Sequence, residues 1–135
     1  MLLTNYLYCD PETLNYELTR LDDTKVTFQS ILESHKGKTV LIEIWASWCG
    51  DCVKAMPKLK EIQGNNSSVD YVFISMDKFS EKWKNGIINH DIKGDHYWVN
   101  DIKMMKGDFG KSLDVDWIPR YIVINKKGEI TLYKN

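Results

Sequence analysis

The chain has 135 residues, 43% of them hydrophobic and 12% aromatic, enough for one domain with one apolar core and too apolar for disorder. Lysine and arginine total 18 against 19 aspartate and glutamate; the net charge of −1 gives no electrostatic reason to expect nucleic acid or an anionic membrane as partner. No apolar run approaches the roughly 20 residues that span a bilayer, and the start, Met1-Leu2-Leu3-Thr4-Asn5-Tyr6, lacks the pattern of a secretory leader, although a leader removed earlier would leave the same start.

Residues 1–13 carry the weakest pattern and read as an N-terminal arm. Leu14, Tyr16 and Leu18 alternate, and Val26 and Phe28 alternate again after Asp22-Asp23, which predicts a strand, a turn and a returning strand. Thr27 is placed to cap a helix with Phe28, Ile31 and Leu32 on its apolar face and Gly37 as its stop. Thr39 to Ala46 is short, apolar and rich in β-branched residues, the pattern of a central strand buried on both faces. After Trp48-Cys49-Gly50-Asp51-Cys52 a helical pattern runs to about Gln63, with Gly64 as a stop, and a second buried strand follows from Val69 to Met76. Ser80 to Asn89 reads as a helix with Trp83, Ile87 and Ile88 on one side, while residues 91–116 give no clear period. Arg120 to Asn125 and Glu129 to Tyr133 alternate around Lys126-Lys127-Gly128, a hairpin signal. Strands alternating with helices predict a layered α/β domain with parallel neighbours; the closing hairpin makes the sheet mixed.

Three cysteines are too few for a disulfide scaffold, and two of them, Cys49 and Cys52, lie three positions apart. The strand before them and the helix after them put Cys49 at a helix N-terminus, where unpaired N–H groups and the helix dipole favour a thiolate. Cys52 lies about one turn on, within reach of the Cys49 sulfur. In this reading Cys49 attacks a disulfide, and Cys52 resolves the mixed disulfide to leave a 49–52 bond. Gly50 permits a tight helix start, whereas Asp51 favours the helix N-terminus but opposes a thiolate beside it, which leans toward a reductant. Half of a zinc site and two incidental core cysteines are the alternatives; His35, His90 and His96 are the only histidines available to complete a metal site, and none is expected. Cys9 reads as a bystander.

Glu43 stands six residues before Cys49 in the buried strand, where a lone carboxylate needs a task or a partner. Burial should raise its pKa and suit it to proton exchange; the alternative is an edge-facing glutamate paired with a lysine. Pro57 falls inside the helical pattern and should kink it.

Trp45-Ala46-Ser47-Trp48-Cys49-Gly50-Asp51-Cys52, followed by Met56-Pro57, resembles the active-site junction of thioredoxin-like proteins. The Trp-Ala-Ser-Trp-Cys form is similar to the TlpA/ResA branch, bacterial thiol–disulfide oxidoreductases that usually face the periplasm or the outer membrane surface. The likeness runs from about Leu14 to Tyr133. It implies a thioredoxin-like fold over residues 14–135: a central mixed β-sheet flanked by helices, with an N-terminal β-hairpin and an insertion before the cis-proline strand. It implies Cys49, Cys52 and Glu43 as catalytic residues, since thioredoxins place a buried aspartate at the position of Glu43 to take the second thiol's proton. It places Ile118-Pro119 in the cis-proline loop beside Cys49, with Trp48, Gly50 and Asp51 completing the substrate surface. The implied partners are a disulfide-containing protein substrate and a separate thiol electron donor, with no cofactor. The implied setting is a monomer outside the cytoplasm of a bacterium, with the cytoplasm as alternative.

Departures from that pattern are Phe73 where many thioredoxins have a lysine and a longer stretch from Asp77 to Asp116. The family usually continues past the final hairpin into a last helix; with the sequence stopping at Asn135, the expectation is either that this helix is missing or that the sequence is a fragment or one domain of a larger protein. A soft-metal-binding or chaperone-like module is the competing function. A peroxidase is disfavoured, because Ala46 stands where its threonine would be. Trp48, Trp117 and Tyr97 are candidates for an apolar docking rim.

Overall fold

The computed structural model describes residues 10–132, and Cys9 lies outside them. In chain order the elements are α1 (Pro11–Asn15), β1 (Glu17–Arg20), β2 (Lys25–Thr27), α2 (Phe28–Ser34), β3 (Val40–Trp45) and α3 (Gly50–Asn65). There follow β4 (Asp70–Ser75), α4 (Ser80–His90), β5 (Asp95–Trp98), a 3-10 turn (Met104–Lys106), α5 (Asp108–Ser112), β6 (Arg120–Ile124) and β7 (Ile130–Leu132).

Among the described residues seven strands form one mixed sheet in the order β2-β1-β5-β4-β3-β6-β7. β3 pairs parallel with β4, and β4 parallel with β5. The two hairpins, β1–β2 and β6–β7, are antiparallel and join through antiparallel β1–β5 and β3–β6 pairs. β3 is central because its side chains are apolar on both faces, apart from Glu43.

Alternation along β3 divides the core in two. Val40, Ile42 and Ile44 share a face with Ile124, Ile122 and Arg120 of β6. α2 covers that face with Phe28, Ile31 and Leu32, and Phe28 meets Phe109 of α5 edge to face at 5.4 Å. Thr27 caps α2, its hydroxyl accepting from the Ser30 N–H at 3.1 Å. The opposite face carries Leu41, Glu43 and Trp45, with Tyr71 and Phe73 of β4 in register beside the first two. α3 crosses this face, since the Tyr71 hydroxyl donates to the Asn66 carbonyl at 3.0 Å and contacts that of Ile62 at 3.4 Å. α4 crosses it as well, because a Cβ on Gly86 would meet Trp45 at 3.2 Å.

Several elements differ from the sequence expectation. Leu14 lies in helix α1 and Thr13 is buried; the apparent alternation of Leu14, Tyr16 and Leu18 spans a helix end and a strand start. α3 runs through Gly64 to Asn65, stopping where Asn66 leaves helical geometry. On α4 the buried side is Trp83 with Gly86, and Ile88 is 75% exposed. The unassigned stretch 91–116 contains β5, whose Tyr97 and Trp98 pair with both β4 and β1. β5 thus joins the first hairpin to the rest of the sheet. Gly128 takes φ 81° in the closing turn, a conformation that glycine supplies without strain.

Candidate active site

β3 ends at Trp45 and the chain turns through Ala46, Ser47 and Trp48 before α3 begins. The turn closes with a bond from the Cys49 N–H to the Ala46 carbonyl at 3.1 Å. Cys49 is the N-cap of α3: its backbone is extended and its sulfur accepts the Cys52 N–H at 3.1 Å. That N–H is one of the orphan donors of a helix start, so the fold aims a fixed partial positive charge at the first sulfur. Cys49 and Cys52 form a disulfide, with Cα atoms 5.2 Å apart. Cys52 is fully buried while Cys49 retains 6% exposure, so an incoming group meets the first sulfur and not the second.

Across from the pair, Ile118-Pro119 is a cis peptide bond, and the Ile118 carbonyl oxygen lies 3.6 Å from the Cys49 sulfur. Arg120, itself buried, holds this loop by donating to the carbonyls of Leu113 at 2.9 Å and Asp114 at 3.0 Å. A cleft of about 310 Å³ opens beside Cys49, walled by Trp48, Gly50, Asp51, Met105, Trp117 and Ile118 among others. Trp48 and Trp117 are 55% and 64% exposed, so its apolar walls face solvent. Tyr97, the third expected rim residue, lines a separate depression with Arg20, Leu21 and Asp22. Among the described residues a Cβ on Gly50 would meet nothing within 4 Å, so the helix start does not require glycine there; the small residue leaves open space beside Cys49.

Glu43 is 1% exposed, on the sheet face crossed by the cysteine helix. Among the described residues neither carboxylate oxygen has a hydrogen-bond partner of good geometry. Burial pushes its pKa up to about 8, and the hydroxyl of Tyr121, its cross-strand neighbour, offsets only part of this. Tyr121 is pushed up to about 12 by its own burial and then by the Glu43 charge. The edge-facing, lysine-paired alternative does not hold for Glu43: it stands mid-sheet, next to Phe73.

A second buried carboxylate, Asp77, belongs to no motif that marks it in the sequence. It accepts the Ser47 N–H at 3.1 Å, the Ser47 hydroxyl at 2.7 Å and the Ser75 hydroxyl at 2.6 Å. Its carbonyl accepts the Trp98 indole N–H at 2.7 Å. This network ties the turn before Cys49 to the end of β4. The available signal was an aspartate directly after a buried apolar strand, with serines at the ends of both central strands.

Comparison with known proteins places this geometry among relatives. A thioredoxin-like family model matches residues 37–130. Sporulation thiol-disulfide oxidoreductase A of Bacillus subtilis (strain 168) is 23% identical over 96 residues, covering 71% of this chain and 58% of its own length. Thiol-disulfide oxidoreductase ResA of Bacillus thuringiensis subsp. konkukian is 26% identical over 122 residues, 88% of this chain and 65% of that protein. The chain thus spans less than two thirds of the length of these relatives. Among solved structures, a candidate thiol-disulfide oxidoreductase from Bacteroides vulgatus superimposes with TM-score 0.72 at 25% identity, covering 93% of this chain and 79% of that one. A secreted Mycobacterium tuberculosis disulfide oxidoreductase homologous to E. coli DsbE shares the fold, with TM-score 0.71 at 20% identity over 93% of this chain and 87% of its own.

Proposed function

The chain belongs to the thioredoxin-like family, and from that premise we propose that it is a thiol–disulfide oxidoreductase that reduces disulfides of partner proteins. The observation that carries this reading is the Cys49 sulfur at the α3 N-terminus, facing the Cys52 N–H at 3.1 Å and the Ile118 carbonyl at 3.6 Å. The relatives described as thiol-disulfide oxidoreductases support it.

In the reduced protein the Cys49 thiolate attacks one sulfur of the substrate disulfide. A mixed disulfide forms and one substrate thiolate leaves. Cys52 then loses its proton to Glu43 and attacks the Cys49 sulfur, releasing the second substrate thiolate and forming the 49–52 disulfide. Two electrons have passed to the substrate, and a separate thiol donor returns them to the chain. The cleft beside Cys49 receives the substrate segment: Trp48 and Gly50 form one wall, and the backbone around Ile118-Pro119 pairs with the segment. Asp51, exposed in the first turn of α3, opposes the thiolate and favours a reducing couple over a strongly oxidising one. We place the reaction outside the cytoplasm of a bacterium, with the chain acting as a monomer; the secreted mycobacterial neighbour supports that location.

Mixed-disulfide trapping with Cys52→Ser tests the assignment. The variant should hold a substrate protein on Cys49 that dithiothreitol releases, and Cys49→Ser should hold none. An accessible Cys49 that captures no protein from extract, together with failure to reduce insulin, would sink it. A redox potential of the 49–52 couple near those of the strongly oxidising periplasmic enzymes would reverse the assigned direction.

A further inference from the structure

Trp48 separates two clefts. The one beside Cys49 belongs to the site described above. The other, about 670 Å³, is walled by Trp48, Phe79 and Met104 and edged by Lys78 and Lys82, with Ser47 and Asp77 in its floor. Its two aromatic walls are 55% and 57% exposed, a large apolar area to leave in water beside a reactive pair. The Lys78 ammonium stands 5.6 Å from the Phe79 ring centroid. Among the described residues neither Lys78 nor Lys82 has a carboxylate within ion-pair distance, whereas Lys84, on the same helix as Lys82, is paired with Asp23. The floor carboxylate of Asp77 is engaged with Ser47 and Ser75. That network fixes the Trp48 turn against the Phe79 loop, so the cleft is built before anything binds and little ordering entropy is lost on docking.

We propose that this cleft docks an acidic, apolar segment of the disulfide-bearing partner protein. An apolar side chain enters between Trp48 and Phe79, and carboxylates beside it meet Lys78 and Lys82. Because Trp48 walls both clefts, a segment lying here continues directly to the Cys49 sulfur. The proposal rests on the oxidoreductase reading and names the kind of substrate it favours.

The test uses the reduced full chain and synthetic peptides, each carrying one cysteine disulfide-linked to the same neutral reporter thiol. The residues flanking the cysteine are glutamate with leucine, lysine with leucine, or glutamate with serine. Each second-order rate constant is divided by that for a neutral dipyridyl disulfide, which reads the intrinsic reactivity of Cys49. The glutamate–leucine peptide should lead the lysine–leucine peptide by about fivefold, the scale of two solvent-exposed ion pairs. The lead should shrink as salt is added, because both lysines are exposed. Lys78→Glu with Lys82→Glu should invert the order, and Phe79→Ala should erase the advantage of leucine over serine. Peptide ratios equal to within about twofold, or an order unchanged in the double variant, would overturn the proposal. Concentration-dependent dimerisation abolished by Phe79→Ala would overturn it too, by giving the cleft to a second copy of the chain. Failure to react even with the dipyridyl disulfide would instead overturn the oxidoreductase reading, and this inference with it.

Discussion

Glu43 carries the clearest consequence at the scale of a single residue. Its folded-state pKa, near 8, lies above the ordinary 4.5 because burial disfavours the charge. Between those two values the unfolded chain releases a proton that the folded chain keeps. Stability is therefore full below about 4.5, falls as pH rises to about 8, and levels off above it, by a few kcal/mol in all. Glu43→Gln should flatten this dependence and raise the denaturation midpoint most at pH 8 and above; a wild-type midpoint constant from pH 5 to 8 would contradict the burial argument. The same carboxyl is a proton acceptor only when ionised. The release of mixed disulfide by Cys52 should thus accelerate as pH rises through about 8, and Glu43→Gln should remove that acceleration in stopped-flow traces. Asp77 shows the other way to bury a carboxylate, with its oxygens occupied by Ser47 and Ser75. Asp77→Asn puts a donor where a donor already points. It should cost about 1–3 kcal/mol in urea denaturation and slow exchange at Cys49, because the turn before it loosens.

At the scale of elements, the packing of α4 on the turn before Cys49 can be separated from helix stability as such. A Cβ on Gly86 would stand 2.7 Å from the Ser47 Cβ and 3.2 Å from Trp45. Gly86→Ala should therefore destabilise by about 1–3 kcal/mol through overpacking and also lower the exchange rate, since Ser47 must move. Thr27→Ala removes only the cap of α2, on the opposite face of the sheet. It should cost about 1 kcal/mol and leave the exchange rate of the folded protein unchanged. If both variants slowed exchange equally, the Gly86 contact would carry no special part in the site. The elements legible in the sequence were those whose local signal and tertiary role agree. The central strand reads as apolar because both of its faces are covered. The α2 cap reads from Thr27, and the last turn from Gly128. β5 was not legible because Asp95, His96, Tyr97 and Trp98 show no alternation of polarity, and its place is fixed by partners on both edges. α1 is hidden in the sequence because a short helix and a following strand together mimic a period of two. Around the candidate site, the placement of Cys49 at a helix start, the burial of Glu43 and the cis Ile118-Pro119 bond were legible through motif and strand position. Asp77 was not, since its partners are distant in sequence and an aspartate after a strand is ordinarily a turn residue.

Across the whole molecule, the sheet has two ends with different tasks. The cysteine pair, the cis-proline loop and the Asp77 network gather where β3 and β4 finish. At the other end, where both strands begin, His35 follows α2 and contacts Asp70 at 2.7 Å and Asp95 at 3.3 Å. Asp70 opens β4 and Asp95 opens β5, so one nearly buried imidazole joins a helix end to two parallel strands. A neighbouring cavity of about 610 Å³ lies at this end, lined in part by Tyr71 and Lys93. The strands between the ends are closely packed, with Ile42, Ile44, Val72, Phe73 and Ile74 fully buried or nearly so. Such a core resists small displacements and confines a local loss to its own end. His35→Ala should therefore lower the denaturation midpoint, by about 1–3 kcal/mol from the lost hydrogen bond to Asp70, the lost contact with Asp95 and lost packing. The rate constant of Cys49 with a neutral disulfide, measured where the variant remains folded, should stay at the wild-type value. A slowed rate under those conditions would mean that the far end of the sheet bears on Cys49. The carrier would then have to be β3, because Glu43 lies midway along it between Val40 and Trp45. Combining His35→Ala with Glu43→Gln decides between the two cases: effects that add leave the ends independent, and a double variant that departs from additivity couples them.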